Sequence, residues 1–135
     1  MMSEAREVLV RYLDALTGGD LERIRASFTE DATWRLHGDL PLAGIRSGRD
    51  EILEFLVSAG ALYSPGTQTF TFGDITAEGE RAVLEWRVRG VSAHTGLDYD
   101  NEYCGVFVVR DGRIAEVREY LDTLHAAQII FGSVA

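Results

Sequence analysis

Three side chains near the C-terminus carry the chemistry that this sequence could offer. Glu119, Tyr120 and Asp122 stand close together in EVREYLDTLHAAQ, residues 116–128. A carboxylate held in an apolar pocket has a raised pKa and can give or take a proton near neutral pH. Strand alternation decides which carboxylate that is. In a regular strand Tyr120 and Asp122 share one face and Glu119 takes the other. A bulge would reverse the order and give Glu119 the inner face. Asp122 has a second reading as a helix cap, because it stands beside Thr123 and both are favoured caps.

Other residues would complete such a site. Tyr12 lies on an apolar stripe with Leu9 and Leu16, and its buried hydroxyl needs a partner. Asn101 and Tyr103 share a face on the neighbouring strand. Tyr12, Asn101 or Tyr103 could hydrogen-bond a carbonyl or enolate oxygen. Trp34, Leu36, Phe55, Phe72 and Trp86 are expected walls, which implies a flat, apolar ligand. His37, at the end of the first strand, is a further candidate contact, and His125 lies near the end of the last. The histidines have no His-x-x-x-His spacing, so no metal site is expected. Cys104 is the single cysteine and reads as buried and inert. No glycine-rich phosphate loop and no Ser-His-Asp motif occurs, so no cofactor is expected.

These residues need elements to hold them. Ala5, Val8, Leu9, Tyr12, Leu13 and Leu16 recur at helical spacing, with Ser3 as cap and Gly18-Gly19 as stop. Asp20 caps a short second helix with Leu21 and Ile24. DATWRLHG reads as a strand, and a loop containing Pro41 follows. Ser47 and Asp50 flank the start of a third helix, about Arg49 to Ala59. The second half alternates in TQTFTFGDIT, RAVLEWRVRGV, YDNEYCGVFVV and RIAEVREYLD, with Asp111-Gly112 as a hairpin turn. Thr123 is the expected cap of a last short helix through Phe131. The expectation is one α+β domain over residues 1–135. It is a cone: a strongly curved antiparallel sheet, three N-terminal helices on its concave face and a short C-terminal helix.

Bulk properties exclude several classes. The 135 residues favour a single core. A net charge of −9 argues against nucleic acid and against anionic membranes. The N-terminus lacks the pattern of a signal peptide, and no apolar run is long enough to span a bilayer. A cytoplasmic protein is expected. Glu85, Arg87, Arg89, Glu102, Val106, Val108 and Val117 are placed on the convex face, a mixture that suits a partly covered surface.

VRYLDALTGGDLERIRASFTEDATW, the G-x-RSGRDEILEFL block and F-x-VRDGRIAEVREYLD together resemble the SnoaL-like and ketosteroid isomerase-like branch of the nuclear transport factor 2-like superfamily. The resemblance spans nearly the whole chain. It implies the cone fold and a homodimer through the convex face, with isologous symmetry as the default. It does not imply one activity, since this fold hosts isomerases, cyclases, dehydratases, hydrolases and binding domains. Ketosteroid isomerases use an Asp base, a Tyr and a protonated Asp. Tyr12 matches the Tyr, but the base falls near Leu36 and the protonated Asp about Gly105. Limonene epoxide hydrolase resembles the chain at Arg118-Glu119-Tyr120, with Glu119 for Asp, yet its Arg-x-Asp positions fall on Trp86 and Val88. The SnoaL-like proton shuttle is matched by Asp122. The expected function is therefore acid/base catalysis on a small apolar molecule by one pocket carboxylate. A non-catalytic binding or sensing domain and epoxide opening are the alternatives.

Overall fold

The structure, a computed structural model, describes residues 3–133. Helix α1 (Glu4–Gly18) starts on Ser3, whose side chain accepts from Arg6 N, and stops at Gly19 in the left-handed conformation. Helix α2 (Leu21–Ala26) is capped by Asp20, as its sequence requires. Strand β1 (Phe28–Leu36) follows, then β2 (Gly44–Ser47) and helix α3 (Arg49–Gly60). The second half is β3 (Thr69–Glu78), β4 (Arg81–Val91), β5 (Asp98–Arg110) and β6 (Arg113–Leu121), closed by α4 (Thr123–Ile129).

The six strands form one open sheet in the order β2-β1-β6-β5-β4-β3. Five elements of the sequence reading change. The first and last full strands, β1 and β6, pair in parallel, while every other pair is antiparallel. The long excursion through α3 and the meander supplies the crossover that a parallel pair needs. Strand β2 occupies a segment read as loop. It is a four-residue edge strand with Ile45 64% exposed, so it has no buried face to announce it. Helix α3 is capped by Gly48, at φ 91°, with no side-chain cap; Ser47 N instead donates to Glu51. Asp122, not Thr123, caps α4 by accepting from His125 N at 3.2 Å. Val117, expected on the convex face, is fully buried in the core.

That last change has a definite cause. Val109 pairs with Ile114 and Val108 with Glu116, so Ala115 is an extra residue in β6. This bulge reverses the alternation. Ile114 faces inward before it, and Val117, Glu119 and Leu121 face inward after it. The β5–β6 turn itself is as expected, with Asp111 and Gly112 both at positive φ.

Helix α1 packs across the inner face over β3 to β6, α3 lies on β1 and β2, and α2 joins the two helices. Helix α4 covers the β5 end. Two apolar clusters result. One gathers Tyr12, Phe28, Trp34, Phe55 and Phe107; the other gathers Tyr63, Val88, Tyr99 and Ile130. Trp86 and Leu121 pack against both. Among the described residues no helix is long and apolar enough to cross a membrane.

Candidate functional site

Between the helices and the inner sheet face lies a cavity of about 420 Å³. Of the expected wall residues, Trp34, Leu36, Phe55, Phe72, Trp86 and Tyr103 all line it, as does Tyr12. Glu119 is the only charged side chain of the lining among the described residues. Leu21, Val57 and Phe70 line the cavity and are also well exposed, which places the mouth between α2, α3 and β3.

Glu119 is brought inward by the Ala115 bulge and is only 8% exposed. Its Oε1 accepts the Trp34 Nε1 proton at 2.9 Å. Burial pushes the Glu119 carboxyl up to about 7, against the smaller opposing effects of the Trp34 hydrogen bond and the Arg46 charge. A carboxyl with that pKa is divided between acid and base near neutrality. Burial first, and the Glu119 charge second, raise the Tyr12 phenol, so Tyr12 stays protonated and can only donate to an anion.

Glu119 stands beside Leu36 on β1 and Gly105 on β5. These are the two positions that a ketosteroid isomerase would give to its acids. Here the carboxylate occupies the strand between them. A Cβ on Gly105 would lie 2.8 Å from Phe107 Cε1 and 2.9 Å from Trp86 Cζ3, so the two rings fill the space an acid there would need.

Four of the expected contacts do not face the cavity. Asp122 lies beyond the end of β6, exposed, with its side chain spent on the α4 cap. Tyr120 is 42% exposed on the outer face, because the bulge turns even-numbered residues outward. His37 stacks on Tyr120 at 4.1 Å, with its Nδ1 3.2 Å from the Glu119 backbone oxygen. Asn101 is buried but lies behind the wall, where its side chain bonds Tyr99, the Asp122 carbonyl and Glu102 N.

Three contributors escaped the sequence reading. Arg46 lies on β2 opposite Trp34, with its guanidinium carbon 4.4 Å from the Phe55 ring centroid and a hydrogen bond to Leu42 O. Tyr63 sits in a loop tied to Ser92 by a single bridge, which leaves no periodic signal. Tyr99 had a signal, since it precedes Asn101 by two on the same strand face. Its hydroxyl lies 2.6 Å from that of Tyr103. Four of the five tyrosines, all but Tyr120, thus line the cavity. Cys104 is half-buried, and burial raises its thiol. Among the described residues no three His, Cys, Asp or Glu side chains are grouped to hold a metal ion.

Comparison with known proteins agrees with this architecture. The SnoaL-like domain family matches residues 9–117. No curated protein matches the chain. An NTF2-like protein from Burkholderia xenovorans LB400 is similar in structure, at 24% identity and a TM-score of 0.80, over 94% of this chain and 95% of that one. A candidate isomerase from Bacillus subtilis is similar at 22% identity and a TM-score of 0.75, over 97% and 95%. A candidate SnoaL-like polyketide cyclase from Jannaschia sp. CCS1 is similar at 20% identity and a TM-score of 0.74, over 96% and 93%. At these identities the solved structures establish the fold, and the domain match establishes the family. The chain belongs to the SnoaL-like domain family.

Proposed function

We infer that the protein is a proton-transfer enzyme for a small apolar molecule bearing an oxygen function, with Glu119 as acid and base. The observation that carries this reading is a buried carboxyl, raised to about 7, in a mostly apolar cavity whose lining holds no other charged side chain among the described residues. Tyr12 is the donor to oxygen charge that develops when Glu119 removes a proton. Isomerisation, cyclisation and dehydration all need only this one proton carrier. Similar folds include the candidate isomerase and cyclase above and TerC, which was co-crystallised with polyporic acid. Epoxide opening of the limonene epoxide hydrolase kind fits less well. Trp86 and Val88 stand at the Arg-x-Asp positions, and Glu119 has no second carboxylate beside it in the lining.

The test is a panel of apolar enones, β-hydroxy ketones and polyketide-like aromatics, assayed with the wild type and with Glu119→Gln. The expected result is turnover that falls about 10²–10⁴-fold in the variant, the usual worth of a positioned acid or base. Saturable binding without product in both proteins would make this a binding domain instead.

We also propose a homodimer through the outer sheet face. Val83, Val106 and Val108 lie there, only half-buried. Sedimentation equilibrium at micromolar concentration should give twice the chain mass; a monomer contradicts this.

A further inference from the structure

A second polar group of the cavity is a pair of hydroxyls, Tyr99 and Tyr103, whose inner member is held by the Asn101 amide. The orientation of that amide is fixed. One Nδ2 proton goes to the Asp122 carbonyl at 3.0 Å, and Oδ1 accepts from Glu102 N at 2.8 Å. A carbonyl can only accept and a backbone N–H can only donate, so the amide cannot be flipped. The remaining Nδ2 proton therefore points to the Tyr99 oxygen, 2.8 Å away.

Proton counting follows. Tyr99 has accepted from Asn101 and keeps its own proton. The Tyr99 and Tyr103 oxygens are 2.6 Å apart and share one proton between them. Two hydroxyl protons and one internal bond leave one proton over. The Tyr63 hydroxyl also bonds Tyr103, and with Tyr63 as the donor in that bond the spare proton stays on Tyr103. Both hydroxyl-bearing side chains line the cavity, but Tyr99 is only 2% exposed while Tyr103 is partly buried, so Tyr103 is the more open of the two. With Tyr99 as donor to Tyr103, the chain would run from the Asn101 amide to Tyr99 to Tyr103 and end in the cavity, each bond polarising the next.

We propose that Tyr103 donates a hydrogen bond to an acceptor oxygen of the ligand, a carbonyl on a flat ring system, and that Asn101 and Tyr99 are positioning residues that aim this proton. The Trp86 and Tyr103 rings are stacked 5.4 Å apart at 15°, a flat wall that suits such a ring. The inference rests on the cavity being the ligand site, as in the function proposed above, but not on the role of Glu119.

The test uses 2-acetonaphthone, a flat aromatic ketone, and the infrared stretch of its carbonyl when bound. A hydrogen bond lowers that frequency. The expected result is a red shift in the wild type relative to the ketone in alkane solvent. Tyr103→Phe should reduce the shift to what Tyr12 alone supplies. Asn101→Asp, read at alkaline pH with the introduced carboxylate ionised, should reduce it likewise, because Tyr99 then donates to that carboxylate and Tyr103 to Tyr99. Adding Tyr99→Phe to that variant breaks the reversed relay and should restore the shift, which a merely structural role for Asn101 would not do. If Asn101→Asp does not fold, Tyr99→Phe alone should give a smaller shift than the wild type. Glu119→Gln should leave the shift intact whether or not Glu119 is catalytic, which separates the two proposals. Failure of the ketone to bind, an unshifted carbonyl in the wild type, or a full shift in Tyr103→Phe or Asn101→Asp would overturn the proposal.

Discussion

The Trp34 indole N–H donates to Glu119 Oε1 at 2.9 Å, a contact between two buried side chains from β1 and β6. It stabilises the ionised carboxylate, while burial opposes ionisation. The balance of the two leaves the group near neutrality.

Trp34→Phe should therefore raise the Glu119 pKa further. A hydrogen bond to a charged group is worth about 1.5–3 kcal/mol, or roughly one to two pKa units. The check is the inflection in a pH–rate profile or a carboxyl NMR titration. An unchanged or lowered inflection would mean that the indole does not hold the carboxylate.

Glu119 should also shape stability against pH. Unfolded, its carboxyl titrates at the ordinary value of 4.5; folded, at about 7. Between these values the native state keeps a proton that the unfolded chain has released, so stability falls as pH rises. Below this window both states are protonated and nothing is lost. Above it the loss is complete, about 3 kcal/mol. Glu119→Gln should match the wild type in urea melts at about pH 4 and exceed it by about that amount at about pH 8. A constant gap across the range would contradict the assignment.

Asp122 should behave as a cap and not as a catalyst. Asp122→Asn keeps a good cap and should leave turnover unchanged. Asp122→Ala should cost about 1 kcal/mol of stability in thermal or urea unfolding, with the cavity intact. Loss of turnover in the folded Asn variant would return Asp122 to the mechanism.

Gly105→Ala should destabilise the fold by about 1–3 kcal/mol, because the new methyl group meets the Phe107 and Trp86 rings. It should also weaken binding of flat ligands, since both rings line the cavity. Calorimetry and ligand titration check the two effects separately.

Much of this was legible in the residues. The stripe around Tyr12, the caps at Ser3 and Asp20 and the Asp111-Gly112 turn are local signals, and the structure repeats them. The alternation of β4 and β5 placed Trp86 and Tyr103 inward for the same reason. The identity of the inward carboxylate was not local. It hangs on one extra residue, Ala115, where two consecutive buried side chains look like ordinary apolar sequence. Strand β2 was missed because an edge strand with an exposed Ile45 has no face to bury. With it went Arg46, the cation whose charge acts on Glu119.

The most direct test of the central claim is a ¹³C NMR titration of the Glu119 side-chain carboxyl, assigned by difference with Glu119→Gln. The account predicts an inflection near 7. An inflection at the ordinary glutamate value of 4.5 would contradict it, because the carboxyl would then be solvated and fully ionised at neutral pH.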